Sequence, residues 1–191
     1  MLSSVGKKKI TAQVAFLVVD IIVLALAARV NAFNEFFYAA DLFPLALAIV
    51  SLVVGVSLLA LDLALADAYT ARPQAEIAVF GVLAVLWLAF SAFSTARWAG
   101  VPLQCSAIPS QFADARTWCA DLQALKAFVW IEFLMCLGIA LFTLRYAIAQ
   151  RARGNTHIFA GPLSRYVPRA PPAAGTFGYR GSEFLQFEKP F

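Results

Sequence analysis

Apolar residues run in four long blocks along this chain, and polar residues gather in the short stretches between them. The blocks are Ile10–Val30, Leu42–Ala66, Ala75–Trp98 and Leu122–Ala149. Each is long enough to cross about 30 Å of hydrocarbon at about 1.5 Å rise per residue. In lipid every backbone N–H and C=O needs a partner within the segment, so each block predicts a helix. The alternation of apolar and polar residues expected of a transmembrane barrel strand is absent. The expected fold is all-α: a transmembrane four-helix bundle over residues 1–150, followed by an irregular cytosolic C-terminal tail over residues 151–191. Pro44 is expected in the first turn of the second helix, where its missing N–H costs little.

Composition agrees with this pattern. Of 191 residues, 62% are hydrophobic and 14% charged, against about 45–50% and about 25% in soluble domains. The basic "GKKK" near the start resembles the n-region of a secretory signal. The apolar run after it exceeds the roughly 7–15 residues of an h-region, and Asp20 interrupts it, so it reads as a retained first span. Beyond Gln150 the chain becomes rich in Pro and Gly ("GPLSRYVPRAPPAAGTFGYRG") and loses any helical or strand period. Arg151, Arg153, Arg165, Arg169, Arg180 and Lys189 make this tail basic, and aromatics recur along it. Such a tail is attracted to anionic lipid by about 1 kcal/mol per positive residue near the surface. Its aromatics either enter the interface or dock on a partner; a solvated tail without fixed contacts is the alternative.

With four spans, both termini share a side. That side carries Lys7, Lys8, Lys9, Arg72, Arg145, Arg151 and Arg153, and the other carries Arg29, Arg97 and Arg116. The positive-inside bias therefore predicts cytosolic termini, with Lys7, Lys8, Lys9, Arg151 and Arg153 as basic residues at the membrane surface. The loop "CSAIPSQFADARTWC" then faces the lumen or the outside, where disulfides persist. Cys105 and Cys119 are expected to bridge and cap the third and fourth helices; two free thiols is the alternative. Cys136 lies within the fourth span and is expected to remain an apolar thiol.

Polar residues inside the spans are the candidates for chemistry. Asp20 and Glu132 fall near the middle of spans one and four, and Asp62 lies nearer the cytosolic end of span two, within reach of the interface. Intramembrane carboxylates are costly and rare. The first pair reads either as an ion or proton relay or as hydrogen-bonded acids joining two helices. Ser51 and Gly55 form a small-xxx-small pair that lets helices approach closely, within one molecule or between copies. Trp98 and Trp118 suit an interfacial belt, and Trp130 suits packing or lipid contact. His157 is the single histidine and reads as an ordinary tail residue. There is no phosphate loop, no Ser/His/Asp grouping and no metal-ligand spacing, so neither an enzyme nor a cofactor is expected.

The arrangement resembles the MARVEL-domain family, in particular its fungal plasma-membrane members. The resemblance rests on "CADLQALKAF", where Cys119, Ala124, Ala127 and Phe128 look like the family's Cys-x4-Ala-x2-Ala-Phe start of the fourth helix. It rests also on "LWLAFSAFSTARW", with Trp87 and Phe90, and covers about residues 8–150. Claudin-like proteins carry a Trp and Cys signature between spans one and two, where this chain has "RVNAFNEFFYAAD". Tetraspanins need a large loop with Cys-Cys-Gly before the fourth span, which is also missing. The resemblance implies a non-enzymatic membrane protein of the plasma membrane or secretory pathway. Such a protein organises membrane domains, sterol-rich ones among them, or trafficking or partner proteins; homo-oligomers fit, and nucleic acid does not. An accessory subunit of a larger membrane complex, or a small proton- or ion-coupled transporter using Asp20 and Glu132, are the alternatives.

Overall fold

A computed structural model gives the fold and describes residues 3–33, 39–65, 72–97, 105–107, 109, 111–159 and 161–166. Four helices dominate: α1 (Ser4–Phe33), α2 (Ala39–Ala64), α3 (Pro73–Arg97) and α4 (Ala113–Ala152). Short 3-10 turns cover Cys105–Ala107, Thr156–Phe159 and Leu163–Arg165. All four helices are long and apolar enough to cross a membrane, and they fit a multi-pass membrane protein. The fold is thus the expected all-helical bundle.

Helix α1 packs extensively on α2 and on α4, and α3 packs mainly on α4; of the neighbouring helices, α2 and α3 touch least. This is a ring in chain order, with α1 and α3 on one diagonal. Side chains still meet across that diagonal, since Phe16 and Phe80 form an edge-to-face pair at 5.4 Å. Among the buried positions of α1 are Gly6, Lys9, Gln13, Phe16, Asp20, Val23, Ala27 and Val30, spaced alternately three and four residues apart. In α4, Leu122, Leu125, Val129, Glu132, Cys136, Ile139 and Thr143 follow the same alternation. A 3.5-residue period keeps one seam of each helix turned inward over many turns.

The two surfaces of the helices differ in kind. Between 28% and 33% of each span is buried, and the outward faces carry large apolar residues such as Val18, Ile21, Val53, Val85 and Leu134. The inward seams carry Lys9, Gln13, Asp20, Ser51, Asp62, Glu76, Ser91 and Glu132. Lipid makes sense of the inversion. Hydrocarbon solvates apolar side chains as well as a core does, so close packing and interhelical polar contacts hold such a bundle together.

Three expectations about the elements change. α4 starts at Ala113, nine positions before the expected Leu122, so Cys119 sits on the helix rather than in a loop. Ala113, Ala115 and Ala120 favour the helix, Asp114 suits its first turn, and neither Gly nor Pro interrupts it before Gly138. Pro44 lies inside α2 rather than in its first turn, so the helix there lacks one N–H donor. The packed structure also runs past residue 150: Asn155, Ile158, Leu163, Ser164 and Tyr166 are all buried. Trp98 and the tail from 167 onward lie outside the described residues.

Candidate functional site

The polar seams form two layers, separated along α1 by Phe16. The first lies near the start of α1. Lys9 reaches Asp62 of α2 at 3.3 Å and Glu76 of α3 at 3.1 Å. Gln13, one turn further along α1, donates from Nε2 to Glu76 Oε1 at 3.0 Å. Ser164 donates from Oγ to Asp62 Oδ1 at 2.8 Å. All five residues are buried. Three helices and the start of the tail thus converge on one ammonium and two carboxylates. Lysine suits this position because its long stem crosses the bundle and its three N–H groups serve more than one acceptor.

The second layer lies at the middle of the bundle, and among the described residues no cation pairs with its acids. Asp20 and Glu132 are both fully buried, and the Asp20 carboxyl is near enough for its charge to bear on Glu132. Ser51 Oγ lies 3.2 Å from Asp20 Oδ1 and 2.6 Å from the Leu47 carbonyl. A hydroxyl has one proton to donate. If it goes to the closer acceptor, the Asp20 contact closes only when Asp20 supplies the proton. Asp20 Oδ2 and both Glu132 oxygens have no hydrogen-bond partner among the described residues.

Further toward the disulfide end, Ser91 donates to the Trp87 carbonyl at 2.7 Å, and Trp130 Nε1 donates to Thr95 Oγ1 at 3.2 Å. Arg29 pairs with Asp121 at 3.0 Å, with the guanidinium 61% exposed. That pair lines a cleft of about 380 Å³ that also touches Asp114 and Trp118. A second groove, about 200 Å³, runs between α1 and α4 past Ala12, Met135 and Gly138. The acids of the middle layer line neither. No grouping of metal-ligating side chains occurs among the described residues.

Each residue singled out from the sequence now has a place. Cys105 and Cys119 are joined in a disulfide that ties the loop after α3 to α4, and Cys136 is a buried free thiol. Asp20 and Glu132 share a layer. Asp62 turns into the bundle, where Lys9 and Ser164 hold it. Lys9, expected with Lys7 and Lys8 at the surface, is instead buried: it is 3% exposed, since its position falls on the buried seam of α1. Lys7, Lys8, Arg151 and Arg153 are exposed. Ser51 meets Asp20, and a side chain at Gly55 would press on Phe16 and Leu17, so this small pair serves contact between α1 and α2.

Gln13, Glu76 and Ser164 were not foreseen. Stepping back from Asp20 by seven and then four residues reaches Gln13 and Lys9, so a 3.5-residue count along α1 carries the signal for the first two members of the seam. Nothing in the local sequence marks Ser164. The chain matches no family model, no curated protein and no solved structure.

Proposed function

We propose that this protein is a non-enzymatic, multi-pass membrane protein that organises a membrane domain or partner proteins, as the MARVEL family it resembles does. One observation carries this reading. The charged side chains of the spans' seams lie buried between helices, several of them paired there, while the large outward-facing side chains are apolar. Work would then fall to the outer surface, the loops and the basic tail. The positive residues at the terminal end, Lys7, Lys8, Arg151 and Arg153, favour a cytosolic placement of both termini against anionic lipid. Purification in native detergent followed by mass spectrometry tests the role. A reproducible set of membrane proteins or lipids, lost on deleting the tail, is expected; a protein that leaves the membrane alone and binds no lipid selectively would count against it.

A second reading has its own support. Both oxygens of Glu132 are unpartnered beside Asp20, which is the arrangement a proton relay would use. It ranks second because both acids are fully buried and line neither the cleft at Arg29 nor the groove between α1 and α4, while Phe16, Phe80 and the Lys9 cluster fill the bundle on the terminal side.

A further inference from the structure

We propose that Gly161–Tyr166 is a releasable strap whose opening admits water to the buried Lys9–Asp62–Glu76 cluster. The strap crosses the end of the bundle at the first turns of α1 and the last turn of α2. Its Ser164 carbonyl accepts from the Ser3 backbone N–H at 2.9 Å and lies 3.2 Å from the Ser3 hydroxyl. Its Ser164 hydroxyl donates to Asp62 at 2.8 Å. The strap lies so close to Gly6 that a Cβ there would collide with the Ser164 backbone. Ser164 therefore covers the Asp62 side of the cluster from the terminal end, while Lys9 also borders the groove between α1 and α4.

Two features make the strap separable from the bundle. Leu163 and Tyr166 pack with Ile158 against Val5 of α1 and Tyr146 and Ala147 of α4, in a small apolar interface distinct from the main core. Small units with their own packing open at lower free energy than the whole fold. Closing also carries a specific cost. The cluster sets one ammonium against two carboxylates, all buried. Closure therefore buries more acidic than basic side chains, and water admitted by opening relieves that excess. Apolar packing and the Ser164 contacts favour the closed state, and the charge imbalance favours the open one.

The imbalance gives a test that a mere anchor would fail. Hydrogen–deuterium exchange on the full chain in detergent micelles is read on peptides covering residues 161–166 and, for comparison, Phe16–Ala27. In wild type the strap should exchange at least about tenfold faster than the middle of α1, through an opening that leaves the helices protected. Gly6→Ala and Ser164→Ala should each speed strap exchange further with the α1 peptide unchanged. Asp62→Asn leaves one ammonium to one carboxylate and keeps an acceptor for Ser164, so it should slow strap exchange. Equal protection of strap and α1 in wild type would overturn the proposal, as would faster strap exchange in Asp62→Asn. Either result would leave the organising role of the protein untouched, since that role is read from partner and lipid capture.

Discussion

The two polar layers meet the same problem, acids in a membrane-spanning bundle, with opposite means. Near the terminal end, Asp62 and Glu76 are held by a lysine, a glutamine and a serine. At the middle, Asp20 has a contested serine proton, and Glu132 has no partner among the described residues. The first layer joins three helices through charge. The second joins α1 and α2 through one hydroxyl and sets two acids near each other. A carboxylate with a counter-ion fails when the counter-ion is removed; an acid without one has none to lose and should tolerate a neutral amide in its place. The layers should therefore respond differently to the same kind of substitution.

The largest effect is expected from Lys9→Met, which strands two buried carboxylates. Removing one partner of a buried ion pair costs about 3–5 kcal/mol, and thermal unfolding in detergent should register it as a large drop in midpoint. Combining Lys9→Met with Asp62→Asn and Glu76→Gln removes all the charges and should recover most of that loss. If the triple variant is as unstable as Lys9→Met alone, the layer is not held by charge.

Next comes the disulfide. Opening a loop of 14 residues' separation between Cys105 and Cys119 should cost roughly 3 kcal/mol on a chain-entropy account. Both thiols should resist alkylation until reductant is added, and Cys136 should stay unlabelled until the protein unfolds. Rapid labelling of Cys105 and Cys119 in unreduced membranes would contradict the bridge.

A smaller effect is expected at Asp20. Asp20→Asn keeps donors and acceptors and should leave the unfolding midpoint nearly unchanged, whereas Asp20→Ala removes a buried partner and should cost about 1–3 kcal/mol. Equal losses in the two variants would show that the charge of Asp20, not its hydrogen bonding, matters. The smallest effect belongs to Arg29→Gln. Its guanidinium is 61% exposed where it meets Asp121, and exposed pairs contribute about 0–1 kcal/mol.

Much of the fold was legible because lipid leaves so few options. Runs of about twenty apolar residues imply helices, and short polar connections imply neighbours. The start of α4 was misjudged because polarity marked Ala113–Asp121 as a loop, while its helix-forming residues and lack of Gly or Pro let the helix continue beyond the apolar block. Acids could be picked out because any acid inside a span is conspicuous, and Asp20, Glu132 and Asp62 were. Lys9 was misread for the same reason in reverse: among three consecutive lysines, basic charge suggested the membrane surface. The inward seam selects only the third. Gln13 and Glu76 needed the 3.5-residue period of the buried seam, and Ser164 needed the return of the chain onto α1, which no local pattern encodes.

The central claim is that the polar interior joins helices and carries no current. Wild type, Asp20→Asn and Glu132→Gln reconstituted at equal density in sealed vesicles, with an internal pH dye and an imposed potential, test it most directly. All three should fold and show the same dye response as protein-free vesicles. A reproducible proton or ion flux in wild type that disappears in either amide variant would contradict the account and make the middle layer a pathway.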